Sequence, residues 1–238
     1  MESLGRALSP FESLSGAPLI ANLPHNSLEY ASAAEEAGVS AIVVGIEKTE
    51  LAFPGLFAGF DAQEQNIQEI VTTASTRVGI SIGEARPLTR ETWERIMGKG
   101  FDFVNMYAHQ MPLFVLNDNR IKKFVSIGPG YMLEQVRVIS ELEQVAALEA
   151  AIVSSQAKLY PFGLLDLSTL ALIARLTTKP VFLRTQKKVT PGDIPLVLKT
   201  GVRGLTLDPS ILEPGLEEYR YAVRGFVQWG SRPDNATR

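Results

Sequence analysis

The chain has 238 residues, 45% hydrophobic and 21% charged, with 23 Lys and Arg against 26 Asp and Glu for a net charge of −3. That balance excludes an intrinsically disordered chain and argues against a nucleic-acid binder, which usually carries a basic excess. With no cysteine in the chain, disulfides, thiolate nucleophiles and Cys-ligated metals are excluded as well.

No apolar run approaches the ~18–20 residues that a bilayer span needs. The N-terminal MESLGRALSPFESLSG lacks the basic start and apolar stretch of a signal peptide. The expectation is a soluble, cytoplasmic protein with no membrane association. One domain is expected over 1–238, with 1–16 an N-terminal segment and 230–238 a frayed tail.

In chain order, PLIANL (18–23) is the first short apolar run, and SLEYASAAEEAGV (27–39) follows it as a helix. Leu28, Ala31, Ala34 and Ala37 recur there at three-residue steps, with Gly38 as the stop. SAIVVGI (40–46) and VGISIG (78–83) are the next runs, and LTRETWERIMGKG (88–100) reads as a helix ending on Gly98 and Gly100. FDFVNMY (101–107) and KKFVSIG (122–128) precede the periodic helix YMLEQVRVISELE (131–143). VAALEAAIV (145–153) is taken as the sixth strand, although it could continue that helix and leave KLYPFGL (158–164) as the strand. Asp166 reads as the N-cap of DLSTLALIARLT (166–177). KPVFLRT (179–185) leads into TPGDIPLVLKTGV (190–202), with Thr190 as cap, Pro191 in the first turn and Gly201 as the stop. After VRGLTLD (202–208), Asp208 caps a single short turn through Leu212. Pro214 then starts the last helix, GLEEYRYAVRGFVQW (215–229).

The eight apolar runs start 22, 38, 23, 21, 23, 34 and 23 residues apart. That spacing is too long for hairpins and suits a strand, a helix and two loops. The runs are almost continuously apolar, as in a parallel sheet covered on both faces. Eight such units in a chain of this length predict an α/β fold, a single (β/α)8 barrel with a short extra helix after strand eight. The rival, a doubly wound open sheet, lacks its usual GxGxxG turn here.

In a barrel, chemistry is built at the C-terminal strand ends. These ends offer Asn22 and His25, Glu47 and Lys48, Glu84 and Arg86, Asn105, Tyr107 and His109, then Gln156, Arg184, Asp208 and Ser210. Both histidines of the chain are in this set, and either would exchange protons near neutral pH. Glu47 and Lys48 are adjacent, so at most one enters the mouth. Glu84 and Arg86, two apart, would face the same way if the segment stays extended. Asn105 would be costly against an apolar helix layer and is expected in the lumen. Arg184 closes an apolar strand with donors suited to carboxylate or phosphate. The alternative is an ion pair with Asp208 or Glu149. Lys187 and Lys188 read as a solvated loop pair. Backbone N–H groups near Ser210 would hold an anion, unless the Asp208 carboxylate fills them itself.

The stretch KPVFLRTQKKVTPGDIPLVLKTGVRGLTLDPSIL (179–212) resembles the closing quarter of the phosphate-binding TIM-barrel superfamily of epimerases, synthases and aldolases. SLEYASAAEEAGVSAIVVG (27–45) resembles their first helix and second strand. The chain departs from that pattern at Arg184-Thr185-Gln186, where a glycine-rich turn is usual, and at Asp208-Pro209-Ser210, where Gly-Ser or Gly-Thr is usual. The resemblance implies the barrel and leaves the usual phosphate grip in question. HExxH, Walker and dinucleotide motifs are all absent.

The leading expectation is a lyase or isomerase acting on an anionic carbonyl compound, without a resident cofactor or metal. His25 or Glu84 would remove a proton, and His109, Asn105 or Lys48 would stabilise the enolate. Arg184 would bind the anion, with Glu47, Tyr107, Gln156, Asp208 and Ser210 completing the substrate site. Two alternatives stand beside it. One is metal-assisted hydrolysis through His25, His109, Glu84 and Asp208. The other is a non-catalytic barrel that binds a ligand or a partner, a second copy in a homo-oligomer included, using Tyr219, Tyr221, Phe226 and Trp229 at an interface.

Overall fold

The computed structural model describes residues 17–48, 59–154, 156–212 and 215–230. The N-terminal segment 1–16, Pro214 and the tail from 231 lie outside the described residues. Eight parallel strands follow one another around a closed barrel. They are β1 (Leu19–Asn22), β2 (Ala41–Ile46), β3 (Arg77–Ile82), β4 (Phe103–Tyr107), β5 (Lys122–Ile127), β6 (Val145–Ala150), β7 (Val181–Arg184) and β8 (Gly204–Leu207). All eight coincide with the apolar runs of the sequence, including the sixth, and β8 pairs with β1 to close the ring.

The helices are α1 (Leu28–Ala37), α2 (Phe60–Thr73), α3 (Arg90–Met97), α4 (Leu113–Leu116), α5 (Leu133–Glu141), α6 (Leu164–Leu176), α7 (Ile194–Leu198) and α8 (Leu216–Gly230). The expected short turn after β8 is a 3-10 turn, Pro209–Ile211, capped by the Asp208 side chain on Ser210 N. Gly38 ends α1 in the left-handed conformation, φ 88°, which a side chain rarely adopts. α8 returns against α1 and β1, burying Tyr219, Val223 and Phe226 while Tyr221 faces solvent. Two of the four C-terminal aromatics proposed for an interface are therefore core, and the Trp229 side chain lies outside the described residues.

Two local expectations are corrected. α6 starts at Leu164 rather than at Asp166; Gly163 is its N-cap, and Asp166 sits in the first turn accepting from Gly163 N at 2.8 Å. Lys187 is buried, not solvated, and donates to both Asp166 oxygens at 2.9 and 2.8 Å. One carboxylate thus caps α6 and ties the loop after β7 to it.

The lumen is filled in two layers. Below, Ile20, Ala41, Val43, Phe103, Phe124, Ala147 and Phe182 form a dry plug. Phe124 meets Phe103 and Phe182 edge to face, at centroid distances of 6.0 and 5.4 Å. Gly79 makes room for this plug, because a Cβ there would lie 2.3 Å from the Phe103 ring. Above the plug the inward residues turn polar: Asn22, Ser81, Asn105, Ser126, Glu149, Arg184 and Thr206, all buried. A β-bulge in β6 sets this upper layer. Lys123 pairs with Val145 but Phe124 with Ala147, so Ala146 is the extra residue. The bulge reverses the alternation, turning Leu148 outward and Glu149 into the lumen opposite Ser126.

Candidate functional site

A cavity of about 320 Å³ opens above the polar layer at the C-terminal end of the strands. Its walls include Lys48 after β2, Ser81 and Glu84 from the end of β3, Asn105 and Tyr107 of β4, His109 and Gln110 beyond it, Tyr131 before α5, and Arg184 of β7. Six of the sequence-derived candidates therefore share one cavity: Lys48, Glu84, Asn105, Tyr107, His109 and Arg184. Glu47, His25, Gln156, Asp208 and Ser210 are not on its wall.

Each of those five has a local explanation. Glu47 takes a left-handed backbone, φ 54°, and turns its carboxylate to Arg86, which donates to it at 2.8 and 3.1 Å. Lys48, its neighbour, is the one that reaches the mouth. The segment after β3 bends instead of staying extended, so Glu84 and Arg86 part company. Glu84 instead accepts from Gln110 Nε2 at 3.0 Å on the exposed rim. His25 stacks on Tyr30, with centroids 5.2 Å apart. Gln156 begins a 3-10 turn after β6, and Ser155 lies outside the described residues.

Asp208 lies behind Arg184. Arg184 Nε donates to Asp208 Oδ2 at 2.7 Å, and the two side chains are 5% and 1% exposed. Asp208 Oδ1 accepts from Ser210 N at 2.9 Å, and Asp208 N donates to Thr185 Oγ1 at 2.9 Å. Burial works to raise the Asp208 pKa, but the Arg184 charge and the Ser210 N–H outweigh it and hold the carboxyl below its usual range. The Ser210 N–H, expected from sequence to hold an anion unless the Asp208 carboxylate filled it, is therefore occupied by that aspartate. Arg184 still borders the cavity. Beside it, the Thr206 hydroxyl is buried with no hydrogen-bond partner among the described residues.

The floor is a hydrogen-bonded chain. Ser81 Oγ donates to Asn105 Oδ1 at 3.2 Å. Asn105 Nδ2 lies within reach of Phe124 O at 3.3 Å, Ser126 Oγ at 3.0 Å and Glu149 Oε2 at 3.2 Å. Ser126 Oγ donates to the same Glu149 oxygen at 2.6 Å. The amide hydrogens of Asn105 are spent on the floor, so Asn105 supplies shape and orientation there. Glu149, 1% exposed, was considered from sequence only as a partner of Arg184. Its signal was a carboxylate inside an otherwise apolar strand.

The aromatic wall is Tyr107, His109 and Tyr131. The Tyr107 and His109 rings lie 5.5 Å apart, and His109 and Tyr131 meet edge to face at 5.9 Å. Tyr131 Oη accepts from His109 N at 3.1 Å and lies 2.5 Å from His109 Nδ1. Burial raises the Tyr131 pKa, and the His109 N–H only partly offsets this. Tyr131 was missed from sequence because it stands at a helix start, not at a strand end. Among the described residues, no three of His, Asp and Glu gather to hold a metal ion, and the four suggested ligands are dispersed to the partners above.

No family model matches the chain, and no curated protein matches it. Solved structures do. Thiamine phosphate pyrophosphorylase from Pyrococcus furiosus is 18% identical with a TM-score of 0.61, over 90% of this chain and 95% of that one. A mutant tryptophan synthase alpha-subunit from Pyrococcus furiosus is 16% identical with a TM-score of 0.66, over 90% and 98%. N-(5'-phosphoribosyl)anthranilate isomerase from Pyrococcus furiosus is 14% identical with a TM-score of 0.60, over 90% and 98%. At these identities the likeness establishes the fold: the chain is a (β/α)8 TIM barrel of the kind those enzymes share.

Proposed function

We propose that the protein is a lyase or isomerase that binds a small anionic carbonyl compound, a phosphate ester or carboxylate, at the barrel mouth. The observation that carries this reading is the convergence of Lys48, Glu84, His109, Tyr131 and Arg184 on one cavity from separate strands and loops. Lys48 and Arg184 supply the positive edge, with Asp208 holding the Arg184 guanidinium in one orientation. Glu84 is the base of choice, because His25 is occupied against Tyr30 outside the cavity wall. The Tyr131 hydroxyl accepts from His109 N and lies 2.5 Å from Nδ1, where either group donates according to the ring tautomer. In the tautomer that carries its hydrogen on Nε2, Tyr131 donates to Nδ1 and His109 is left to donate to the oxygen of a forming enolate. The names of two similar structures, which specify a thiamine phosphate and a 5'-phosphoribosyl compound, support the phosphate-ester branch.

The test has two parts. Thermal unfolding is followed with inorganic phosphate, sugar phosphates and keto acids, for wild type and Lys48→Gln. A ligand at ten times its Kd adds about 1.4 kcal/mol, or roughly 3–6 °C here. One class should stabilise the wild type and stabilise Lys48→Gln less. The stabilising compound is then incubated in D2O, where loss of its α-proton NMR signal reports proton abstraction. Glu84→Gln should slow that exchange by about 10²–10⁴. No stabilisation by any class would sink the anion site. Binding without exchange would leave a binding protein.

A further inference from the structure

A second concavity adjoins the mouth. A groove of about 520 Å³ runs beside the first turns of α5 over Ala108, Val138 and Ile139, with Glu134 also along it. His109 and Tyr131 belong to the walls of both the groove and the mouth cavity. The charged cavity and the apolar groove are thus two compartments on either side of one hydrogen-bonded pair. Val138 is left 49% exposed on this face. Both volumes fall in the range of small-molecule sites. Glu134 disfavours an anion in the groove, while the mouth offers Lys48 and Arg184. From Leu133 to Val138 the helix advances about 7.5 Å.

Resting on the anionic-substrate reading, we infer that the substrate is an amphiphile whose anionic head sits in the mouth while an unbranched or prenyl-like apolar tail lies along α5 past His109 and Tyr131. That His109 and Tyr131 wall both compartments favours one ligand reaching across them over a protein partner on the groove alone.

The test is the affinity of inorganic phosphate, methyl phosphate and octyl phosphate, each below its aggregation concentration, together with octanol. It is run by calorimetry on wild type, Val138→Asp and Lys48→Gln. Full burial of a methylene strengthens binding about fourfold, so a half-open groove should give roughly twofold per methylene. Octyl phosphate should therefore bind wild type about a hundredfold more tightly than methyl phosphate. Val138→Asp should cut that ratio below about tenfold, and Lys48→Gln should weaken every phosphate while preserving the ratio. A wild-type ratio within about threefold overturns the tail site yet leaves the anion reading standing. Failure of all the phosphates to bind overturns both. Octanol binding as tightly as octyl phosphate, or a concentration-dependent dimer that Val138→Asp dissociates, makes the groove a separate apolar or self-association surface and overturns the inference.

Discussion

Removing Arg184 should destabilise the barrel far more than a mouth residue ordinarily would, because its partner cannot follow it into water. Asp208 is 1% exposed and keeps its contact with Ser210, whose N–H donates to it at 2.9 Å. In Arg184→Ala the carboxylate is left charged and buried, a situation that costs about 3–5 kcal/mol. At about 2–4 °C per kcal/mol for a chain of this size, Tm should fall by roughly 6–20 °C at pH 7. Replacing both partners, Arg184→Leu with Asp208→Leu, should recover most of that loss, because the penalty lies in the orphaned charge more than in the missing attraction. The pH dependence follows in sign. In the wild type the Asp208 carboxyl is held below its usual range, so the pair's stabilisation is complete above about pH 4 and fades as pH falls below it. Without Arg184, burial dominates and raises the carboxyl pKa, so the variant protonates first and its deficit narrows from pH 7 downward. Differential scanning calorimetry of wild type, Arg184→Ala and the double variant between pH 4 and 7 measures this. An Arg184→Ala Tm within about 2 °C of wild type at pH 7, or a deficit constant across the range, would refute the reasoning.

Other perturbations follow from the packing. Gly79→Ala places a methyl 2.3 Å from the Phe103 ring and should cost about 1–3 kcal/mol, read as a lower urea midpoint with an unchanged m-value. Phe124→Ala removes the middle ring of the plug and should cost about 3–5 kcal/mol in the same titration. Glu149→Ala takes the acceptor from the buried Ser126 hydroxyl in the lumen, so a loss of about 1–3 kcal/mol is expected in the same experiment. Asp118 accepts from Arg120 and from the buried Trp93 indole at 2.8 Å, and Arg120 in particular holds its carboxyl below the usual range. Asp118→Ala should lose about 1–3 kcal/mol at pH 7. That gap narrows as pH falls below about 4, where the carboxyl of the unfolded chain takes up protons while the native one, held lower, is still charged; Trp fluorescence during acid titration of both proteins would show it.

Much of the fold was legible because burial on both faces of a parallel sheet writes a strand as an apolar run, and helix stops such as Gly38 are local. α2 was not, since its buried Phe60, Ile67 and Ile70 are separated by a long polar stretch, and α4 is a single turn. At the site, the strand-end rule found Lys48, Tyr107, His109 and Arg184 because proximity to the mouth depends only on where a strand stops. Of the partners it found one, the Asp208 offered as the alternative for Arg184. Glu47 turned to Arg86 and Glu84 to Gln110 through loop bends, which no local pattern encodes. Glu149 shows the limit most plainly. Strict alternation from Val145 puts it on the lumen only if Val145 is there too, yet Val145 packs outward and the extra residue Ala146 restores the phase.

The two-layer lumen separates stability from chemistry, with one exception. The plug of Phe103, Phe124 and Phe182 closes the lumen below, and none of the three rings lines the mouth cavity. Lys48, Glu84 and His109 lie on loops above it, so their substitution should change ligand affinity or exchange rate with little effect on folding. Arg184 is the exception because it borders the cavity and neutralises a buried carboxylate at once. An Arg184 variant that loses ligand binding is therefore ambiguous taken alone. The Lys48→Gln and Glu84→Gln variants, which leave the Arg184–Asp208 pair untouched, are the ones that can tell a missing anion site from a loosened barrel.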